Sequence, residues 1–218
     1  MIKAVLFDLD GTLIDTYELI IESYNNTFKK YLGFEVPREE LIGFIGEPLM
    51  KTMARYAEGE QLKTLVKAYR DFNIKNHDRL AKPFPGVDKG LAELKKAGYK
   101  LIVVTSKMRD TAYQGLELFK LTSFFEDLVG FEDTKEHKPG PAPVLKALDI
   151  LGVSPEEALM IGDSTYDLYA AHGAGVVCGI VSYSIYPPQV WEAKSPDFWL
   201  ESIDKLLPLI ESGEYIKK

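Results

Sequence analysis

The hydrophobic positions of this chain fall into two alternating patterns. Short, continuous apolar runs predict buried strands at residues 2–8, 101–105, 127–131, 158–162 and 176–182. Between and after these runs, apolar residues recur at helical spacing, which predicts helices at 87–97, 111–119, 143–151, 166–172 and 202–211. Strands that alternate with helices in this way are typical of an α/β fold with a parallel sheet.

Residues 15–82 break this alternation. Their apolar positions, such as Leu19, Tyr24 and Phe28, follow helical spacing, and Pro37 and Pro48 interrupt the segment. We therefore expect an α-helical cap subdomain inserted after the first strand, with residues 1–14 and 83–218 forming the α/β core. The aromatic side chains of the insert are expected to build its own core rather than to cage a ligand.

Composition limits the classes of function. A chain of 218 residues with 46% hydrophobic and 27% charged residues is typical of a soluble globular protein, and no apolar run approaches the ~20 residues of a membrane span. No signal peptide precedes the first strand, so we expect a cytoplasmic protein with no membrane partner. A net charge of −7 disfavours nucleic acid as a partner. Cys178 lies in an apolar run and is expected to be a buried, inert thiol.

The first predicted strand ends in Asp8-Leu9-Asp10-Gly11-Thr12. Side chains two residues apart point to the same side of a strand, so the two carboxylates repel and raise each other's pKa. A hard divalent cation with oxygen ligands relieves this repulsion. An ordinary strand followed by an Asp-Gly turn, in which Thr12 bonds within the turn, gives the same pattern. This segment alone leaves both interpretations open.

Further polar groups follow the next three strands. They are Thr105-Ser106-Lys107, then Lys138, then Gly162-Asp163-Ser164 with Asp167. Each has a simple structural alternative: Ser106 could cap a helix, Lys138 could be a solvated surface lysine, and Ser164 could begin a capping box. The carboxyl ends of parallel strands meet at one edge of a sheet, where ligands bind. Four coincidences at that edge are improbable, so the set favours chemistry.

Together these segments resemble the haloacid dehalogenase superfamily of aspartate-nucleophile phosphohydrolases. The resemblance covers nearly the whole chain, and its two specific motifs are Asp8-Leu9-Asp10-Gly11-Thr12-Leu13 and Gly162-Asp163-Ser164 with Asp167. It implies a Rossmann-like, doubly wound parallel sheet with a helical cap. Two positions depart from the usual pattern. Lys107 stands where small polar residues are commoner, and Gly140 follows Lys138-Pro139 where an acidic residue often does.

The resemblance also implies roles for these residues. Asp8 would attack phosphorus and form an aspartyl-phosphate, while Asp10 would protonate the leaving oxygen and then deprotonate water. The second role requires surroundings that raise the pKa of Asp10 above its ordinary value of ~3.9. Mg²⁺ would be held by the Asp8 and Asp163 carboxylates and the Asp10 main-chain carbonyl, with Asp167 among or just behind these ligands. The phosphoryl oxygens would be held by Thr105, the Ser106 N–H and Lys138.

The substrate would be selected by the insert. Residues 43–49 are similar to the specificity loop of phosphoglycolate phosphatases and their relatives, which makes Glu47 a candidate. Nearby Lys51 and Arg55 could reach a substrate anion or could be ordinary exposed charges. Residues 15–20, 105–109 and 194–198 are similar to the inorganic pyrophosphatase branch. We therefore expect a small phosphorylated substrate, either diphosphate or a phosphoglycolate-like monoester, and a monomer or small homo-oligomer.

Other functions remain open at this stage. A β-phosphoglucomutase-like phosphotransferase would keep the same aspartates, and a phosphonate hydrolase would use an insert lysine, such as Lys29, Lys30 or Lys51, as a Schiff base. A phospho-receiver signalling or binding protein also gathers aspartates, a hydroxyl and a lysine on a parallel sheet. Its phosphorylated aspartate lies deeper in the chain, however, and it has no helical insert. The scattered histidines suggest no metal site, and His77 is expected on the surface of the insert.

Overall fold

The computed structural model describes residues 1–192 and 194–215, so the end of the predicted core segment, 216–218, and residue 193 lie outside the described residues. The strands are β1 (Ala4–Phe7), β2 (Ile14–Asp15), β3 (Lys82–Pro83), β4 (Lys100–Val104), β5 (Asp127–Val129), β6 (Ala158–Gly162), β7 (Val177–Val181) and β8 (Phe198–Leu200). The helices are α1 (Tyr17–Tyr31), α2 (Arg38–Ile42), α3 (Leu49–Met53), α4 (Gly59–Leu80), α5 (Val87–Lys96), α6 (Arg109–Leu118), α7 (Ala142–Leu151), α8 (Thr165–Gly173), α9 (Gln189–Glu192) and α10 (Leu206–Ser212).

Six of the strands form one parallel sheet in the order β5-β4-β1-β6-β7-β8. β1 lies near the centre, with Ala4 in register with Lys100 on one side and Ala158 on the other. From β1 the chain runs outward through β4 and β5, then returns to build β6, β7 and β8 on the opposite side. The strand order therefore reverses beside β1, and ligands bind at the carboxyl ends of the strands at such a point.

Helices cover both faces of this sheet. Val5 and Phe7 of β1 pack in a buried cluster with residues of α5, α6 and α10, whereas Ala4 and Leu6 face α7 and α8. This split follows from the alternation of side chains along a strand. The predicted Rossmann-like, doubly wound fold is confirmed. Cys178 is buried in the second cluster as predicted, and burial raises the pKa of its thiol well above the usual range.

Residues 17–80 build α1 to α4, which lie between two short strands. β2 and β3 pair antiparallel, with Asp15 opposite Lys82, so the chain enters and leaves this insert at adjacent points. The insert has its own apolar cluster, in which the rings of Tyr24 and Tyr69 lie 4.7 Å apart. The division into two domains at these points stays a prediction. No helix in the described ranges, α4 included, combines the length and the hydropathy needed to traverse a bilayer.

The edge strand β8 was not predicted, and one predicted helix is divided in the structure. β8 pairs with β7 at the edge of the sheet, but its three residues are too few to give a recognisable pattern. The helix predicted at 202–211 is a 3₁₀ turn at Ile203–Lys205 followed by α10. Pro208 explains this break, because proline fits the first turn of a helix but obstructs the hydrogen bond to residue 204 in a continuous one.

The prediction that His77 lies on the surface is wrong. His77 is buried on the side of α4 that packs against α6, with only 1% of its surface exposed. A Cβ at Gly115 of α6 would lie 3.3 Å from its Nε2 atom. The small residue on α6 therefore makes room for the imidazole ring, and this room cannot be read from the pattern of α4 alone.

Candidate active site

The turn after β1 depends on Gly11. Its backbone has a φ of 85°, in the left-handed region that favours glycine. A Cβ at this position would also lie 2.4 Å from Oδ2 of Asp163 and 2.7 Å from the hydroxyl of Tyr17. The positive φ and the lack of space both exclude a larger residue. Gly11 therefore allows the turn that follows Asp8 to approach the end of β6 closely.

Three buried carboxylates meet at this edge of the sheet. One oxygen from each of Asp8, Asp163 and Asp167 lies within 4.8 Å of the others. Asp8 follows β1, Asp163 follows β6, and Asp167 lies in the first turn of α8. Such a set of oxygen donors is suited to a hard divalent cation, so the residues present fit a metal of this class.

Lys138 binds two of the three carboxylates of this cluster. Its Nζ donates to Oδ1 of Asp8 at 2.8 Å, to Oδ1 of Asp167 at 2.6 Å and to the carbonyl of Val104 at 3.1 Å. Only 3% of its surface is exposed, so the alternative of a solvated surface lysine is wrong. One ammonium balances only one of the three carboxylates, which leaves an excess of buried negative charge.

The pKa values of Asp8 and Asp163 reflect burial first and this excess of charge second. Burial raises the pKa of Asp8 to about 7; Lys138 opposes the rise and the charge of Asp167 adds to it. The pKa of Asp163 is raised well above its usual range, again by burial first and then by the charges of Asp167 and Asp8. A bound cation would favour the ionised forms and reverse both shifts.

The pKa of Asp10 is shifted in the opposite direction, below its ordinary value. Burial would raise the pKa of its carboxyl, but the charge of Lys107 and hydrogen bonds from Lys107 and Thr16 outweigh burial, so the pKa is lowered. The Nζ of Lys107 lies 2.9 Å and the Thr16 hydroxyl 2.7 Å from the same oxygen, Oδ1. The expectation of a raised pKa at Asp10 is therefore wrong for this arrangement, and Lys107 is the main reason.

Asp167 both caps a helix and belongs to the cluster. Its Oδ2 accepts from the Ser164 backbone at 3.1 Å and from the Ser164 hydroxyl at 2.6 Å, while the Asp167 N–H donates to Ser164 Oγ at 3.3 Å. The predicted capping box is confirmed. Because Oδ1 binds Lys138, the structural and functional interpretations of this motif are compatible.

The hydroxyl groups of Ser106 and Thr12 do not make the local hydrogen bonds that a purely structural role would require. α6 begins at Arg109 after Met108, so Ser106 does not cap it. The Ser106 hydroxyl instead makes a long 3.5 Å contact to the Gly46 carbonyl in the insert. The buried hydroxyl of Thr12 has no hydrogen-bond partner among the described residues, so the side-chain bond expected in its turn is not observed.

A cavity of about 320 Å³ lies between the insert and the sheet edge. The predicted site residues that line it from the core are Asp8, Asp10, Thr105, Ser106 and Lys138. Glu47 lines it from the insert. Its carboxylate binds Arg55 at 2.6 Å and Lys51 at 3.2 Å. Both of these cationic side chains are exposed, and neither is among the described residues that line the cavity. The specificity role of all three stays a prediction.

Sequence reasoning missed Tyr17, Thr16 and the contact made by Lys107. The Tyr17 hydroxyl lies 2.8 Å from Oδ2 of Asp163, to which it donates, and 3.2 Å from the Gly11 carbonyl oxygen. No local pattern marks Tyr17, since Asp163 lies far along the chain. Lys107 did carry a signal, because a long cation stands where a small polar residue is usual.

Known proteins that are similar in sequence to this chain belong to one hydrolase family or are named as phosphatases. A family model described as haloacid dehalogenase-like hydrolase matches residues 5–181. "Putative pyrophosphatase PpaX" of Caldanaerobacter subterraneus subsp. tengcongensis is 48% identical over 210 residues, which cover 96% of this chain and 95% of the relative. Pyrophosphatase PpaX of Bacillus cereus is 42% identical over 209 residues, with 96% of each chain covered.

A solved structure has a similar fold. "A predicted phosphoglycolate phosphatase" from Haemophilus somnus superposes with a TM-score of 0.84 at 25% identity, covering 96% of this chain and 98% of that one. The family match extends from β1 to the end of β7 and so contains the whole carboxylate cluster and Lys138. With its parallel sheet, its aspartate cluster and these relatives, the chain belongs to the haloacid dehalogenase-like hydrolase family.

Proposed function

We propose that this protein is a Mg²⁺-dependent phosphohydrolase that forms an aspartyl-phosphate on Asp8. The observation that carries the proposal is the buried cluster of Asp8, Asp163 and Asp167 around Lys138, beside a cavity at the carboxyl edge of the sheet. The names of the relatives support a small phosphorylated substrate, with diphosphate favoured over a phosphoglycolate-like monoester.

Asp8 is the nucleophile. Its carboxylate forms a bond to phosphorus while the bond between phosphorus and the leaving oxygen breaks. Asp8 and Asp163, with the main-chain carbonyl of Asp10, would hold Mg²⁺, and Asp167 lies among or just behind these ligands. When bound, Mg²⁺ supplies positive charge that favours the ionised carboxylates and offsets charge on the phosphoryl oxygens.

Asp10 moves the protons. It donates one to the leaving oxygen. In the second step it accepts one from the water that attacks phosphorus, while the bond between phosphorus and the Asp8 oxygen breaks and phosphate leaves. Lys107 keeps Asp10 ionised in the arrangement described above. A phosphoryl anion in the cavity competes for the Lys107 ammonium. Once this ion pair weakens, burial raises the pKa of Asp10 and allows it to carry a proton.

Lys138, Thr105 and the Ser106 N–H hold the phosphoryl oxygens where charge accumulates in the transition state. Lys138 and Thr105 are both buried, so they meet the phosphoryl group with little competition from water. The insert serves as a cap over the cavity, because it supplies Glu47 and the apolar residues that exclude water from the reacting groups. This cap selects the substrate.

Phosphate release from p-nitrophenyl phosphate and inorganic diphosphate, each with Mg²⁺ and with EDTA, tests the proposal. We expect turnover only with Mg²⁺, and a loss of about a thousandfold or more in Asp8→Asn. Asp71→Asn is the matched control, because this exposed acid on α4 pairs with Lys67 outside the cavity. A single phosphorylation without phosphate release would overturn the proposal in favour of a receiver, and transfer to a hexose phosphate would indicate a mutase.

A further inference from the structure

One face of α4 lines the cavity with polar side chains to which the proposed reaction assigns no role. Tyr69 and Asn73 lie one helical turn apart, and Arg70 and Ile74 continue the same face. All four side chains belong to the insert, whereas the carboxylate cluster belongs to the core. A substrate bound at Asp8 therefore extends its leaving group into the space that this face borders.

Among the described residues that line the cavity, Arg70 is the cation that pairs with no carboxylate. Lys138 and Lys107, the other cationic side chains among the described lining residues, are held by carboxylates of the site. For Arg70, the described residues provide neither a hydrogen-bond nor an ion-pair partner for the guanidinium. The exposed Asp110 lines the same cavity, and the described contacts include no ion pair between the two.

The other arginines provide a useful contrast. Each of them binds a carboxylate: Arg38 binds Glu18, Arg55 binds Glu47, Arg79 binds Glu22, and Arg109 binds Asp127 and Asp133. A half-buried arginine that lines a cavity and has no carboxylate partner among the described residues can satisfy its donors with an anionic ligand.

Asn73 and Tyr69 support the same ligand chemistry. The side-chain amide of Asn73 donates to Ser23 Oγ at 3.2 Å, which fixes the orientation of this buried side chain beside Arg70. Burial, together with the neighbouring Tyr24 and Asp10, raises the pKa of Tyr69 well above its usual range, so its hydroxyl remains a donor. The face thus offers fixed polar groups beside a guanidinium.

Resting on the proposed phosphohydrolase function, we propose that Arg70, with Asn73 and Tyr69, forms a second anion-binding subsite that recognises a negatively charged leaving group. The subsite favours substrates whose leaving group, which departs from phosphorus as Asp8 attacks, carries a second phosphate or a carboxylate. Inorganic diphosphate and short phosphorylated carboxylates share this chemistry. Neutral leaving groups, such as sugars or phenols, gain nothing from the guanidinium.

The surroundings of the subsite strengthen this selectivity. The partly buried apolar side chains of Ile20 and Leu49 border the same cavity and reduce its exposure to water. An ion pair in such surroundings is stronger than one in bulk solvent. Arginine also binds phosphate and carboxylate oxygens through two parallel N–H donors, which a neutral group cannot replace.

The test compares Arg70→Gln and Arg70→Lys with the wild type on inorganic diphosphate, 2-phosphoglycolate and p-nitrophenyl phosphate. In Arg70→Gln, the ratio of kcat/KM for each anionic-leaving-group substrate to that for p-nitrophenyl phosphate should fall about ten- to hundredfold. Arg70→Lys keeps the charge and should restore part of the ratio. Arg79→Gln, the same change on the exposed side of α4, should leave all ratios unchanged.

The diphosphate and phosphoglycolate arms distinguish the two sources of the second charge. A fall in the diphosphate ratio alone assigns the subsite to a second phosphate, and a fall in the phosphoglycolate ratio alone assigns it to a carboxylate. An unchanged ratio, or an equal loss on all three substrates, would overturn the subsite.

A binding measurement separates the subsite from the reaction. Isothermal titration calorimetry of Mg²⁺-diphosphate with the Asp8→Asn protein, with and without Arg70→Gln, should show about tenfold weaker binding in the double variant. If the wild type hydrolyses nothing but this difference is found, the subsite stands and the proposed reaction fails. Equal binding by both proteins overturns the subsite.

Discussion

Replacing Asp8 with asparagine is expected to stabilise the metal-free protein while it abolishes turnover. Asp8 is a buried carboxylate in a cluster with more negative than positive charge. Asparagine has nearly the same shape and no charge, and Lys138 keeps its bond to Asp167. The change therefore removes repulsion and desolvation at the expense of catalysis, a common trade between stability and activity.

The magnitude follows from the pKa of Asp8. Folding raises this pKa from an ordinary 3.8 to about 7, so the folded state binds a proton that the unfolded state has lost. The stability that accompanies the protonated form is complete below pH 4, falls between pH 4 and pH 7, and is lost above pH 7. A shift of roughly three pKa units corresponds to about 4 kcal/mol. Since asparagine also loses part of the contact with Lys138, we expect a gain of about 2–4 kcal/mol at pH 8.

Thermal unfolding followed by circular dichroism in EDTA measures this gain. At pH 8 the Tm of Asp8→Asn should exceed that of the wild type by about 5–15 °C, and the difference should shrink toward pH 4. Adding Mg²⁺ should raise the wild-type Tm more than that of the variant, because the variant has lost a metal ligand. A variant no more stable than the wild type at pH 8, or a gain that is equal at both pH values, would refute the reasoning.

Three further substitutions test the surroundings of the site. In Lys107→Met, burial is opposed mainly by the Thr16 hydroxyl and raises the pKa of Asp10 above its wild-type value; the Asp10 carboxylate stabilises the wild type above about pH 4. The Tm deficit should therefore widen from pH 4 to pH 7, and a constant deficit would contradict the pairing. Tyr17→Phe removes the donor to Asp163 and should raise the Mg²⁺ concentration for half-maximal activity about tenfold; an unchanged requirement would count against this contact. Gly11→Ala places a methyl carbon 2.4 Å from Oδ2 of Asp163, on a backbone with a φ of 85°. The free energy of unfolding should fall by about 2 kcal/mol or more. A wild-type midpoint in denaturant unfolding would show instead that the turn relaxes.

The parts of this molecule that could be predicted from its sequence are those with local causes. The apolar run before Asp8 predicts β1 because a strand buried on both faces needs continuous hydrophobic residues. Ser164 and Asp167 form their capping box within one helical turn. Asp8, Asp163 and Lys138 could be expected to lie together because a parallel sheet aligns the carboxyl ends of its strands.

The parts that could not be predicted depend on contacts between distant segments. Lys107 and Asp10 are 97 residues apart, and Tyr17 and Asp163 are 146 apart, so no local pattern joins either pair. The low pKa of Asp10 follows from the first of these contacts. For the same reason, the insert residues that face the cavity could not be assigned. The sequence motif points to Lys51 and Arg55, whereas the structure places Arg70 of α4 in the lining of the cavity.

The pairing of β2 with β3 has a consequence for how such proteins change. Asp15 and Lys82 lie opposite each other in an antiparallel pair, at a Cα separation of about 5 Å. A segment of any length can therefore begin and end there without altering the spacing of the strands that carry Asp8 and Asp163. Insertions, deletions or exchange after Tyr17 leave the reacting groups in place, because Thr16 and Tyr17, which bind Asp10 and Asp163, stay at the start of the segment. The chemistry and the choice of substrate can then evolve separately within one chain.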